Sequence, residues 1–253
     1  MNNEVAILHA VGRSRLLAFL AQAFVEPDST TKARLEWALS SAKSALDAVG
    51  EMSSRTALTA MHAALDGMEP HELAAAYHCV FGHIVSGDCP PYEGEYGHAH
   101  IFQKTQCLAD NAGFYRAFGL ELAPNLAERA DHISVELEFL HVLAAKEAYA
   151  LAHDHGAERL AIVREATRSY LQDHIARWAP AFATRLERKA QDGFYAALAR
   201  LLAAFIADEV HMFAVTPTPA TFVQGDLQPD DVPGGCEACV MEPVSTPVMR
   251  GEP

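Results

Sequence analysis

Residues 131–153, DHISVELEFLHVLAAKEAYALAH, form the most apolar periodic segment of the chain. Apolar residues recur there at the three- and four-residue spacing of an α-helix, and one stripe comprises Ile133, Leu137, Leu140 and Ala144. A second apolar stripe lies beside the first and comprises Val135, Phe139 and Val142. A helix that is apolar on more than one face is usually buried among other helices. The segment therefore predicts the central helix of a bundle.

The rest of the chain up to residue 215 has the same helical periodicity, and strand patterns are almost absent. Besides an amphipathic first helix, the predicted helical segments are 31–49, 54–66, 69–81, 98–118, 131–153, a stretch from after Gly156 to about Trp178, a short helix starting at Pro180, and 192–213. The predicted fold class is all-α. Residues 1–215 are expected to form a single helical-bundle domain of about eight or nine helices.

Residues 216–253 differ in composition from the rest of the chain. They hold seven of the thirteen prolines and no helical stripe, which predicts a flexible, Pro-rich acidic tail. The tail contains Cys236-Glu237-Ala238-Cys239. A lone Cys-x-x-Cys supplies only two of the four ligands of a structural zinc site. Cys236 and Cys239 are therefore candidate metal ligands, and the alternative is that they are incidental thiols.

The composition limits the class of protein. The formal net charge of -14 argues against a nucleic-acid partner, because such partners need basic patches. Five cysteines, an odd number, do not suggest a disulfide framework. The apolar run at 16–21 is short for a signal peptide, and no later run is long enough to span a bilayer. We expect a cytoplasmic protein without stable membrane insertion.

Two acid-x-x-histidine pairs raise the possibility of a metal centre. Glu138 precedes His141 on one predicted helix, and Asp208 precedes His211 on another. Two such pairs resemble half of a di-metal carboxylate site, which also needs inward glutamates on two further helices. No core glutamate fits that requirement, so a di-metal oxidase is only the alternative. No nucleophile or phosphate-loop motif is present, and we expect neither an enzyme nor a permanently bound cofactor.

Residues 88–97, DCPPYEGEYG, interrupt the helical pattern. Pro90 and Pro91 fix an extended backbone, which presents the next residues with little ordering cost on binding. This loop, the Ala-Gly-Phe-Tyr-Arg-Ala-Phe-Gly run at 112–119 and ERADHISVELEFL at 128–140 together resemble the TorD/DmsD/NarJ family of redox-enzyme maturation chaperones. The long loop is most similar to the branch that serves type II enzymes of the DMSO reductase family.

The resemblance covers roughly residues 5–213 and includes two departures. Ala130 stands where the family usually has proline, and Gly94 stands where a small hydroxyl residue is more usual. The resemblance implies an all-helical cytoplasmic chaperone, monomeric or homodimeric. Its partner would be the molybdenum-containing catalytic subunit of a DMSO-reductase-family enzyme, bound through its twin-arginine leader. It would assist insertion of the molybdenum cofactor and contact molybdopterin only transiently.

A leader of this kind offers guanidinium groups followed by a short apolar helix. Carboxylates that accept bidentate hydrogen bonds, next to an apolar groove, would bind it. The predicted client-binding residues are Pro91, Tyr92, Glu93, Glu95, Tyr96, Glu128, Asp131, His132 and Glu136. Structural alternatives stay open: Asp131 as a helix-start residue, His132 as a buried histidine bonded to the loop, and Pro90–Tyr92 as packing over the core. A stable accessory subunit of a redox complex is the remaining functional alternative.

Overall fold

The computed structural model describes residues 3–47, 54–82, 88–97, 101–123 and 128–222. Within these ranges the protein is all-α, as predicted, with nine α-helices. They are α1 (Asn3–Ala23), α2 (Thr31–Asp47), α3 (Ser54–Asp66), α4 (Pro70–Phe81), α5 (Ile101–Ala117), α6 (Ile133–Ala152), α7 (Ala157–Tyr170), α8 (Ala176–Ala190) and α9 (Gly193–Met212). A 3-10 turn covers Glu93–Glu95, and a π-helical turn, Leu171–Ile175, joins α7 to α8.

Helix α6 is buried along much of its length, as its apolar pattern predicts. It packs along α1, and α7 covers another of its sides. Its apolar residues Ile133, Leu137 and Leu143 are fully buried. This packing holds the start of α6, at His132 and Ile133, against the rest of the core. The residues immediately before the helix therefore have a defined orientation relative to the core.

A buried ion cluster ties four helices together. Arg13 of α1 contacts Glu209 of α9 through two hydrogen bonds of 2.6 Å and Glu147 of α6 through one of 2.7 Å. Arg164 of α7 reaches the other oxygen of Glu147 at 2.7 Å. Burial opposes the charge of Arg13, but the two carboxylates outweigh it and raise the pKa of the guanidinium. The helical periodicity does not predict this cluster, because charged residues are expected to lie on the solvent-exposed faces of helices.

The prediction of a separate short helix starting at Pro180 is wrong. The π-helical turn leads directly into α8, and Pro180 lies inside that helix. Proline lacks the N–H that would bond the carbonyl of Ala176, but Pro180 itself is exposed. Trp178 and Phe182 are completely buried on the continuing apolar face, which offsets the lost hydrogen bond.

The described residues that follow position 215, 216–222, belong to the same compact unit as the helices. Residues 216–222 pack on α8 and on the loop at 88–97. The amide of Ala220 donates to the carbonyl of Arg177 at 2.8 Å, and the amide of Gly97 donates to the carbonyl of Thr221 at 2.8 Å. Phe222 lies under the guanidinium of Arg185 at 3.8 Å. The flexibility of residues 224–253 stays a prediction, because they lie outside the described residues, as do Cys236 and Cys239.

In the part of the chain that the structure describes, no helix is both long and apolar enough to cross a bilayer.

Candidate functional site

The loop at 88–97 and the segment before α6 meet in space, although about forty residues separate them in the chain. The amide of Glu93 donates to the carbonyl of Asp131 at 2.9 Å, and the amide of Ile133 donates to the carbonyl of Pro91 at 2.9 Å. Between these bonds Tyr92 and His132 form an isolated antiparallel bridge. The two motifs that carry the predicted site are therefore one structural unit, which we call the loop–helix junction (residues 90–97 and 128–136).

Glu93 faces the interior and is the centre of a polar network. It accepts hydrogen bonds from Asn111 of α5 at 2.7 Å and lies 3.0 Å from Nδ1 of His174 in the π-helical turn. Burial alone would raise the pKa of Glu93, but the hydrogen bond and charge of His174 reverse that effect, so the pKa is lowered. Glu93 thus connects the loop to two helices and is not free to bind a client.

Glu136 is buried in the first turn of α6 and has a different electrostatic environment. One of its oxygens accepts a hydrogen bond from the indole N–H of Trp178 at 3.1 Å. Burial and the nearby charge of Glu93 raise the pKa of Glu136 well above its usual range. A proton on Glu136 removes the repulsion between the two carboxylates. Glu136 is therefore a buried carboxyl group with a raised pKa, and it is inaccessible to a peptide.

Asp131 is completely buried and receives hydrogen bonds from both sides of the junction. The amide of Gly94 donates to Oδ2 at 3.0 Å, and the guanidinium of Arg129 contacts both carboxylate oxygens, at 2.9 and 2.6 Å. An added Cβ at Gly94 would lie 2.9 Å from that same Oδ2. Glycine at position 94 therefore fits the close approach of the loop to Asp131, which accounts for the absence of a side chain there.

His132 caps α6 and is neutral. Its Nδ1 accepts from the amide of Ser134 at 3.2 Å, and burial lowers its pKa to about 3, assisted by the charge of Arg129. Its other ring nitrogen lies 3.8 Å from a carboxylate oxygen of Glu128, which is too far for a hydrogen bond. His132 is therefore a buried histidine whose side chain caps its own helix, and its ring contacts the loop at Tyr92, with centroids 5.0 Å apart.

Two further predicted residues are structural in this conformation. Pro91 and Tyr96 are buried, and the hydroxyl of Tyr96 donates to the carbonyl of Pro90 at 3.1 Å. The ring of Tyr96 packs on Trp178, with centroids 5.2 Å apart. Six of the nine predicted residues are thus buried, and the sequence could not separate them from the exposed ones because loops are expected to lie at the surface. The six are Pro91, Glu93, Tyr96, Asp131, His132 and Glu136.

The remaining three predicted residues form the accessible face of the junction. Tyr92 is half-buried, and its hydroxyl donates to Glu128 at 2.9 Å. Glu95 pairs with Lys104 of α5 at 2.6 Å. Arg129, which is not one of the nine predicted client-binding residues, lies among them with its guanidinium 4.6 Å from the centre of the Tyr92 ring. The side chains of the junction that solvent reaches in this conformation include those of Tyr92, Glu95, Glu128 and Arg129.

An apolar cavity of about 350 Å³ lies between the end of α5 and the outer side of α6. Tyr115, Val135 and Phe139 contribute to its floor, and Glu121 and Glu138 belong to its lining. Tyr115 also donates to the carbonyl of Ala130 at 2.7 Å, which links this cavity to the junction. The cavity combines apolar surface with acidic groups, as a binding site for a basic and apolar peptide requires.

The residues proposed for a di-metal centre have other partners. His141 lies 2.9 Å from the hydroxyl of Ser14, and Asp208 accepts from the amide of Ser54 at 3.0 Å. Within the described ranges, no group of three or more histidine, cysteine, aspartate or glutamate residues is arranged to hold a metal ion.

The family model of the nitrate reductase delta subunit matches residues 51–184, just over half of the chain. The matched region contains the whole loop–helix junction. The chain therefore belongs to this family, the TorD/NarJ family of redox-enzyme maturation chaperones, and the predicted membership is confirmed.

Curated relatives agree with this assignment over part of their length. A chaperone protein TorD of Vibrio cholerae serotype O1 is 36% identical over 95 residues, which cover 38% of this chain and 41% of the relative. A perchlorate reductase assembly chaperone protein of Dechloromonas aromatica is 31% identical over 117 residues, 46% of this chain and 49% of the relative. A selenate reductase assembly chaperone protein of Thauera selenatis is 40% identical over 83 residues, 33% of this chain and 40% of the relative. The chain thus spans two fifths to half the length of these relatives.

A crystal structure described as a redox enzyme maturation protein of Archaeoglobus fulgidus is 21% identical and covers 77% of this chain and 93% of that chain. Its TM-score is 0.44, and at that score it adds nothing to the assignment.

Proposed function

We propose that the protein is a maturation chaperone for the molybdenum-containing catalytic subunit of a DMSO-reductase-family enzyme. It binds the twin-arginine leader of that subunit in the cytoplasm and assists cofactor insertion before export. It holds no permanent cofactor and contacts molybdopterin only transiently, during loading of the client. The names of the relatives as TorD and as reductase assembly chaperones support this class of client.

The main support for the proposal is that the loop at 88–97 and the segment at 128–136 meet in one junction. The outer face of this junction is acidic and aromatic. Tyr92, Glu95 and Glu128 are the accessible members of this face. Carboxylates and aromatic rings are the groups that recognise guanidinium ions. The apolar cavity beside Val135 and Phe139 suits the apolar helix that follows the arginines in a leader.

The charge of the protein favours the same partner. A net charge of -14 attracts a cationic leader over a distance and speeds its association. Because such attraction is screened by ions, binding should weaken as salt concentration rises. The buried members of the junction hold the accessible ones in place, so little ordering is required when the leader binds.

The experiment tests both parts of the role. A candidate catalytic subunit is produced with and without this protein, and its molybdenum content is measured. Its synthetic leader is titrated separately into the purified chain by calorimetry. We expect the leader to bind and molybdenum loading to fall when the chaperone is absent. Equal loading in both preparations, together with a leader that releases no binding heat, would contradict the proposed function.

A further inference from the structure

Arg129 occupies the centre of the accessible face and is held there by the chain itself. Its Nε and Nη2 donate to the two carboxylate oxygens of Asp131 at 2.9 and 2.6 Å. Its Nη1 lies 3.6 Å from Glu95. Its guanidinium carbon lies 4.6 Å from the centre of the Tyr92 ring. One guanidinium group thus contacts two carboxylates and one aromatic ring.

This set of contacts is specific for a guanidinium group. A carboxylate that accepts two parallel hydrogen bonds matches the planar fork of arginine, and an aromatic face stabilises its delocalised charge. An ammonium group cannot form the same two bonds, because it is a compact point charge. The amide of Gly94 holds Asp131 in orientation from the other side. The junction is therefore a preformed arginine site that already contains an arginine.

The position of Arg129 permits exchange. Its side chain is 38% exposed, whereas that of Asp131 is 0% exposed. Arg129 can therefore turn into solvent without opening the core, while Asp131 stays in place. The contrast within the same chain is Arg13, which also makes a two-bond contact with a carboxylate, that of Glu209, but is buried on all sides. Of these two arginines, only Arg129 has a guanidinium group next to solvent, and a second guanidinium group would arrive from the solvent.

We propose that Arg129 is an internal competitor that occupies the subsite for an arginine of the client leader, and that the client arginine displaces it. This inference rests on the proposed function and specifies its chemistry. When the exchange is complete, the client guanidinium has taken the place of Arg129, so the buried carboxylate of Asp131 is again paired with a cation. A lysine-containing peptide cannot replace both bonds to Asp131. Arg129 therefore raises the affinity that a peptide needs in order to bind, and this requirement favours arginine over lysine in the partner.

The test uses two synthetic peptides of about twenty residues with the same apolar segment, one with two consecutive arginines and one with two consecutive lysines. Both are titrated into the intact parent chain, Arg129→Gln, Arg129→Lys and Arg168→Gln. Arg168 is a matched control, because it is a half-exposed arginine of α7 and its replacement changes the net charge equally. Thermal unfolding establishes that each variant is folded, and Arg129→Lys carries the test if Arg129→Gln is not.

We expect the diarginine peptide to bind Arg129→Gln about tenfold more tightly than the parent, if the internal arginine occupies the site about nine-tenths of the time. Arg129→Lys should give a smaller gain, and Arg168→Gln no gain beyond the effect of one charge. The dilysine peptide should gain less than the diarginine peptide. Equal or weaker diarginine binding to both Arg129 variants, with normal binding to the parent, would overturn the competitor role alone. No binding of the diarginine peptide to any of the chains would contradict the proposed function itself.

Discussion

The main chains of Tyr92 and His132 pair in a single antiparallel bridge, and their rings meet edge to face with centroids 5.0 Å apart. The two residues have different exposures, since Tyr92 is half-buried and His132 is buried. The bridge therefore holds the backbone of Tyr92 against the rigid start of α6, while the side chain of Tyr92 stays accessible to a partner. This relationship makes the loop an ordered part of the junction and not a flexible connector.

Tyr92→Ala should weaken leader binding about tenfold, because it removes the ring against which a guanidinium packs and the hydroxyl that orients Glu128. The measurement is calorimetric titration with a diarginine leader peptide at low and at physiological salt concentrations. Trp37→Ala is the matched control, since Trp37 is an exposed aromatic residue of α2. A parallel loss in both variants, or none in Tyr92→Ala, would remove Tyr92 from the site.

Gly94→Ala should destabilise the protein by about 1–3 kcal/mol, because the new Cβ lies 2.9 Å from Oδ2 of Asp131 and 3.2 Å from Nη2 of Arg129. The free energy of unfolding is measured by denaturant titration. Gly113→Ala serves as the control: position 113 lies within α5, and a Cβ there meets no atom within 4 Å. That substitution should stabilise the helix by about 0.5–1 kcal/mol. Similar changes in both variants would show that the close approach at Gly94 has no energetic effect.

Glu136→Gln should stabilise the protein increasingly as pH rises. The pKa of Glu136 is raised in the folded state, mainly by burial, from an unfolded value near 4.5. Above that unfolded value the unfolded chain releases the proton and the folded chain keeps it, so stability falls with rising pH by at most about 1.4 kcal/mol per pH unit. A glutamine cannot release a proton, and its amide still accepts from Trp178.

Thermal unfolding midpoints of the parent and Glu136→Gln, measured between about pH 6 and pH 8, check this prediction. This range avoids the opposite effect of Glu93, whose lowered pKa costs stability only in acid. Glu138→Gln is the control, because Glu138 lies on the exposed side of the same helix. A difference between parent and Glu136→Gln that does not grow with pH would contradict a protonated Glu136.

Arg13→Met should cost about 3–5 kcal/mol, because Glu209 and one oxygen of Glu147 would remain buried without their cation. Denaturant unfolding measures the loss. Arg200→Met removes an exposed arginine that pairs with Glu187 at 2.7 Å, and it should cost at most about 1 kcal/mol. Comparable losses in the two variants would show that the buried cluster contributes no more than a surface ion pair.

The helical fold was predictable because hydrophobic periodicity survives in almost every segment. Helix α6 illustrates this, since Ile133, Leu137, Leu140 and Ala144 of its first predicted stripe are all buried in the core. Pro180 illustrates the limit of such prediction. Proline is unfavourable inside a helix, but the burial of Trp178 and Phe182 outweighs this local preference. Tertiary packing therefore determines that the helix continues through Pro180. A single sequence does not show which residues will pack against each other.

The proximity of the two motifs was predictable from the sequence, but the arrangement of their side chains was not. The motifs at 88–97 and 128–136 do come together, as the resemblance implied. Their acidic residues, however, divide into buried members such as Glu93 and accessible ones such as Glu128. Residue type cannot reveal this division, because a buried carboxylate needs partners that are distant in sequence, such as His174 for Glu93. The sequence does not single out Arg129 for a related reason, because a site for a cationic peptide is expected to consist of acidic and aromatic residues.

Hydrogen–deuterium exchange of the intact chain, with and without a diarginine leader peptide, tests the central claim most directly. The claim is that the loop–helix junction binds the leader. It predicts slower exchange in residues 92–97 and 131–136 when the peptide is present, and unchanged exchange in α2. Unchanged exchange throughout the junction, with slower exchange elsewhere in the chain, would contradict it.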